Sequence, residues 1–212
     1  MSPKLFDYKT DDSFEADLAK NLTAYKERFN KRFEVLESNI LLISKVKNIA
    51  VDDGNIEMTT LWNAFGYINL LSYDLISVGY SMILENRPWQ KVYFARQVAL
   101  LLYEGKEDLP ELLGKYFKTI FSSTPKADPW IEELKTHLSE LNSFKSKNHE
   151  YLKKIRLNVS GHRDQNINNQ LDVITSINPY DIKTLMFEFE EKLRKLLDHI
   201  QPVIVNSLTL KI

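Results

Sequence analysis

The sequence predicts an all-α protein, an antiparallel up-and-down helical bundle of four to five main helices with one extra short helix. Apolar residues recur in steps of three and four along most of the chain, which is the pattern of one buried stripe per helix. Only six glycines and seven prolines occur, and they fall mostly between those runs, as helix punctuation. No alternating apolar–polar pattern persists long enough to make a strand. At 212 residues, 43% hydrophobic and 27% charged, the chain is expected to be a single globular domain over residues 1–212.

The first run, Phe14, Leu18, Leu22, Tyr25, Phe29, Phe33, Leu36, Ile40 and Ile43, predicts one long helix. Asp12 is its expected cap, with Glu15 three residues on completing a capping box. A turn at residues 52–55 closes it. The second run, residues 60–84, is apolar nearly all round and carries one charge, Asp74. It is long enough to cross a membrane. Asn63, Asn69, Ser72, Asp74 and Ser77 instead favour a central helix buried by its neighbours, since such groups are costly in lipid. Gly66 and Gly79 are expected at close helix contacts. Asp74 is expected to be buried and to need a partner. Arg96, inside the next apolar run, is the expected cation, pairing with Asp74 or Glu104.

That third helix starts at Pro88 in its first turn and is expected to end near Gly105. Pro110 opens a short helix over residues 112–121, and residues 122–128 form a loop. Asp128-Pro129 begins another helix, with Glu132 and Glu133 near its positive end. Its stripe is Ile131, Leu134, Leu138, Leu141, Leu152, Ile155 and Val159. Residues 165–170 read as a polar connector. Asn178-Pro179 repeats the start signal for a long last helix, with Pro202 as a kink or frayed end.

Cysteine is absent, so disulfides, thiolate metal sites and cysteine nucleophiles are excluded. No secretory leader is visible at the N-terminus, and the expected location is cytoplasmic. The net charge of -1 excludes a generic basic nucleic-acid coat, so contact with nucleic acid has to be local. The four histidines show neither HExxH nor paired-histidine spacing, so no metal or other cofactor is expected. Glycine-rich phosphate loops, GxSxG and GxGxxG are absent as well.

One stretch reads as chemistry. Lys145, Lys147, Lys153, Lys154, Arg156 and Arg163 make a local positive strip, either a solvated helix face or a phosphate-binding surface. On an unbroken helix Arg156, Ser160 and Arg163 share one face, and Asn158 and His162 another. Arg156 and His162 reach one phosphate if Gly161 ends the helix and lets His162 turn. A second copy of the chain supplying the partner is the other route. A histidine near neutral pKa can move the 2′-hydroxyl or leaving-group proton of RNA, while a guanidinium grips the phosphate.

Arg156-Leu-Asn-Val-Ser-Gly-His162, late in a helical bundle, resembles the Arg-x(4–6)-His signature of the HEPN superfamily. The following Arg163-Asp164, the polar linker and the long last helix are similar to its abortive-infection-like members, with the motif region spanning residues 145–200. Where the family favours a polar residue directly after the arginine, this chain has Leu157, with Asn158 one place later. The resemblance implies an all-α, metal-independent endoribonuclease of toxin–antitoxin or defence type, cytoplasmic and working as a homodimer on RNA. It makes Arg156 and His162 catalytic, with Asn158, Ser160, Arg163, Lys153 and Lys154 as substrate contacts and an antitoxin-like protein as a possible partner. The alternative is a non-catalytic HEPN-like module that binds a protein partner or nucleotide. Arg156 is then a salt-bridge residue and His162 a helix-end cap.

Overall fold

The computed structural model describes the backbone of residues 9–52, 56–114, 128–160 and 166–209, and within these the side chains of 9–46, 59–114, 130–158 and 166–204. Among these residues the fold is all-α: α1 (Asp12–Lys20), α2 (Leu22–Asp52), α3 (Ile56–Leu84), α4 (Pro88–Leu112), α5 (Asp128–Ile155), α6 (Ile167–Ser176) and α7 (Pro179–Thr209). A π-helical turn, Arg156–Ser160, follows α5 directly. Five helices have 25 residues or more, and α1 and α6 are short. No described helix is long and apolar enough to cross a membrane.

The chain divides into two compact units. The first comprises Met1–Glu34, Asp74–Glu104 and Asn148–Glu188. Leu75, Met82, Val92, Val98, Leu102, Leu152, Ile155 and Ile182 are among the side chains buried there. Its N-terminal helix is tied down by charge. Lys183 Nζ donates to Asp11 at 2.9 Å and Lys91 Nζ to Glu15 at 2.8 Å, while Tyr180 donates its hydroxyl hydrogen to Glu15. Phe29 and Phe33 both meet the Tyr80 ring edge-on.

The second unit comprises Val35–Tyr73, Gly105–Lys147 and Phe189–Ile212. Leu36, Leu61, Phe65, Ile68, Leu134, Phe144, Phe189, Leu193 and Ile200 fill its interior. Two of the polar groups that argued against a membrane span, Asn69 and Ser72, are satisfied inside it. Buried Asn69 donates to Phe65 O at 2.7 Å and accepts from Asn39, and Ser72 bonds the Glu190 carboxylate at 2.7 Å. A buried polar group is tolerated on that condition.

Several local expectations are corrected. Asp11, not Asp12, caps α1 by accepting from Phe14 N, and Glu15 spends its carboxylate on Lys91 and Tyr180 rather than on a capping box. The first run is two helices. Asn21 parts them as the C-cap of α1, with its side-chain amide donating to the Asp17 carboxylate at 2.8 Å. α4 does not stop at Gly105 but runs on to Leu112 with Pro110 inside it. The residues expected to form the short helix after Pro110 lie, from 115 onward, outside the described residues. The polar connector is largely helix. Asn166 caps α6 by accepting from Asn168 N at 3.0 Å, and Val173 and Ile174 are buried.

Asp74 is exposed, not buried, and has no ion-pair partner among the described residues. Asn63, Leu70 and Asp74 form an open stripe along α3, a helix whose other faces are covered. Asp74 borders a groove with Ser77, Val78, Tyr93, Phe94 and Gln97, and partial loss of water there pushes its carboxyl up. Arg96 instead lies over the Tyr93 ring at 5.8 Å.

Candidate functional site

α5 carries the basic stretch. Lys145 is engaged by Glu107 in the second unit, together with buried Lys106. Lys153, half-buried, and Lys154, exposed, have no ion-pair partner among the described residues. They belong to the first unit, at the end of α5 where the helix changes pitch.

The π turn begins at Arg156. Asn158 Nδ2 donates to Lys154 O at 2.7 Å, so its side chain competes for a carbonyl of the α-helical ladder, which is one route to a widened turn. The expectation of an unbroken helix through Ser160, and the facial register drawn from it, is replaced by this geometry. The amide of Asn158 is thereby used within the helix. The turn packs against α6.

Arg156 is held from α4. Its guanidinium carbon lies 5.0 Å from the centre of the Tyr103 ring, a cation–π contact. Glu104 Oε1 is 3.9 Å from Arg156 Nε, too far for a hydrogen bond. Nε is shielded from solvent and makes no hydrogen bond, while the side chain as a whole is 31% exposed. The guanidinium is therefore oriented by a ring face and keeps donor capacity in reserve. The Tyr103 ring also meets His149, with centroids 5.9 Å apart. Sequence inspection had not joined His149 and Tyr103 to Arg156, because the contact runs between α4 and α5. Nearby Tyr151 is no neutral-pH acid or base: burial, reinforced by Asp181, pushes its phenol up to about 12.

His162, Arg163 and the Ser160 side chain lie outside the described residues, as does Gly161. Of the expected contacts the structure describes Arg156, Asn158, Lys153 and Lys154.

A second cluster lies in the second unit, where α5 meets α7. Glu133 and His137, one turn apart on α5, face His199 on α7, and one donor atom from each lies within 4.8 Å of the others. His199 Nδ1 is 3.3 Å from Glu133 Oε2, and His137 Nε2 is 3.8 Å from Glu133 Oε1. Trp130 stacks on the His199 ring at 4.6 Å. Burial pushes the His199 imidazole down; Glu133 pulls it up and His137 again down. Only the Glu133–His137 spacing was visible in the sequence. The third member comes from another helix.

Comparison with protein-family models, with curated proteins and with solved structures finds no match for the chain.

Proposed function

We propose that the chain is an HEPN-like, metal-independent endoribonuclease, a cytoplasmic toxin or defence effector acting on RNA as a homodimer. The observation that carries the reading is Arg156, a partly exposed guanidinium braced on Tyr103 whose Nε has no acceptor among the described residues. A phosphate is the anion for which such a fork is suited, because it takes two parallel N–H bonds. Lys153 and Lys154 on the preceding turn, without an ion pair among the described residues, add attraction for the backbone of the nucleic acid. In this reading Arg156 stabilises charge growing on the phosphate, His162 moves the proton, and Ser160 and Arg163 supply further contacts.

The test is cleavage of a short RNA in excess chelator. His162→Ala is expected to slow it by roughly 10²–10⁴-fold and Arg156→Ala by about 10²–10³-fold, with helicity unchanged by circular dichroism. A wild-type protein that cuts no RNA, or a His162→Ala variant that cuts at the wild-type rate, overturns the reading. Light scattering tests the homodimer.

One observation favours the second reading, a non-catalytic module. One N–H of the Asn158 amide is held by Lys154 O, which ties a supporting contact to the helix. A module of that kind binds a protein partner or a nucleotide without catalysis, and keeps its affinity when His162 becomes alanine.

A further inference from the structure

We propose that Glu133, His137 and His199 bind one divalent transition-metal ion, Zn²⁺ by preference, through two imidazole nitrogens and a carboxylate oxygen. The argument rests on geometry and is independent of the ribonuclease reading. Around tetrahedral zinc, with metal–ligand distances of about 2.0–2.2 Å, neighbouring donor atoms stand roughly 3.4 Å apart. The His199 Nδ1–Glu133 Oε2 and His137 Nε2–Glu133 Oε1 separations of 3.3 and 3.8 Å, one to each oxygen of the carboxylate, lie about that value, and one donor atom from each of the three residues falls within 4.8 Å of the others. Glu133 and His137 share a face because they are four residues apart on α5.

The outer contacts also fit. His199 Nε2 lies 3.0 Å from Trp130 O, which can only accept, so Nε2 carries the hydrogen. Nδ1 is then the nitrogen turned towards Glu133. A backbone carbonyl holding the far N–H of a histidine is the arrangement by which ligating imidazoles are oriented. Trp130 also stacks on the ring, and its Nε1–H donates to the His199 backbone carbonyl at 3.1 Å. His137 supplies the second, independent sign. Its side chain is only 12% exposed, both ring nitrogens are shielded from solvent, and neither has a hydrogen-bond partner among the described residues. A buried imidazole left so calls for an explanation, and an ion taking the Nε2 lone pair provides one.

Nitrogen donors select a transition metal over Mg²⁺ or Ca²⁺, which prefer all-oxygen shells. His199 is almost fully buried, with 4% side-chain exposure, while Glu133 is 63% exposed and gives the ion its entry path. Three protein donors leave a fourth position for water. The ion would join α5 to α7 within the second unit.

The test uses the full chain, stripped by chelator and dialysed. Titration with Zn²⁺ should show one strong site per chain, and Co²⁺ should give the visible spectrum of a tetrahedral nitrogen–oxygen site. At free Zn²⁺ a hundredfold above Kd, Tm should rise by about 5–10 °C. Glu133→Gln and His137→Gln should each weaken binding at least about tenfold, since even loss of an outer partner costs a metal that much. Glu133 is exposed, so the metal-free Tm of its variant should match wild type and separate lost binding from lost folding. No stoichiometric uptake by wild type, or wild-type affinity in both variants, overturns the proposal.

Discussion

A carbon added at Gly105 would stand 2.6 Å from Leu71 Cδ2 and 3.1 Å from the Phe189 ring. Glycine is there for close approach, which is why α4 continues past a residue that sequence inspection takes for a stop. Gly79 is similar: a Cβ would meet Met186 Sδ at 2.0 Å. Gly66 is not, for its added carbon would meet Ile43 at an ordinary 3.6 Å. The two alanine substitutions in the second unit should therefore differ in sign. Gly66→Ala should be neutral or stabilising by up to about 1 kcal/mol, the helix-propensity gain. Gly105→Ala has the same gain but overpacks the core, at a cost of about 1–3 kcal/mol, and should be destabilising. Urea unfolding measures both. Equal effects at the two positions would contradict this account.

Among the elements, α6 shows how a cap makes a helix out of a polar segment. Residues 165–170 contain little but amides, and composition alone makes them a linker. Asn166 satisfies the first amide hydrogens, and the buried Val173 and Ile174 secure the other end. Asn166→Ala should cost about 1 kcal/mol, while Asn166→Asp, which keeps the acceptor, should cost little. Chemical denaturation reads both, and an unchanged midpoint for the alanine variant would count against the cap. The π turn follows the same logic of local competition. It begins at Arg156, so the candidate site sits at a departure from regular helix that periodicity does not reveal.

At the scale of the whole chain, acid should unfold both units. Hydrogen bonds from Lys183, Phe14 N and Ser13 hold Asp11 down to about 2 in the first. In the second, burial pushes Glu107 up, but hydrogen bonds from Lys106 and Lys145 outweigh it and hold the carboxyl at about 2. Both lie below their ordinary values of 3.8 and 4.5, so the folded state holds fewer protons than the unfolded one in between. The stabilisation is complete above about pH 5 and is lost as pH falls towards 2. Tm measured against pH should be level near neutrality and drop over that interval. Glu107→Gln should lower Tm at pH 7, because it leaves buried Lys106 short of its counter-ion, and should flatten the acid limb. An acid limb as steep as wild type would contradict this. Chelator tests both proposals on the whole chain: the zinc proposal expects a lower Tm, and the ribonuclease proposal expects RNA cleavage at 25 °C to be unchanged.

The sequence by itself determined the all-α class, most helix starts and the buried stripes, because a 3.6-residue period and a cap are properties of neighbours along the chain. Leu134, Leu138 and Leu141 are buried as their spacing requires. It also singled out Arg156, by charge and position. Only the tertiary structure decided that Tyr103 braces that arginine, that Asp74 faces outward, and that His199 meets Glu133 and His137. Those relations join different helices, and the period of one helix holds no information about which residue of another will stand opposite.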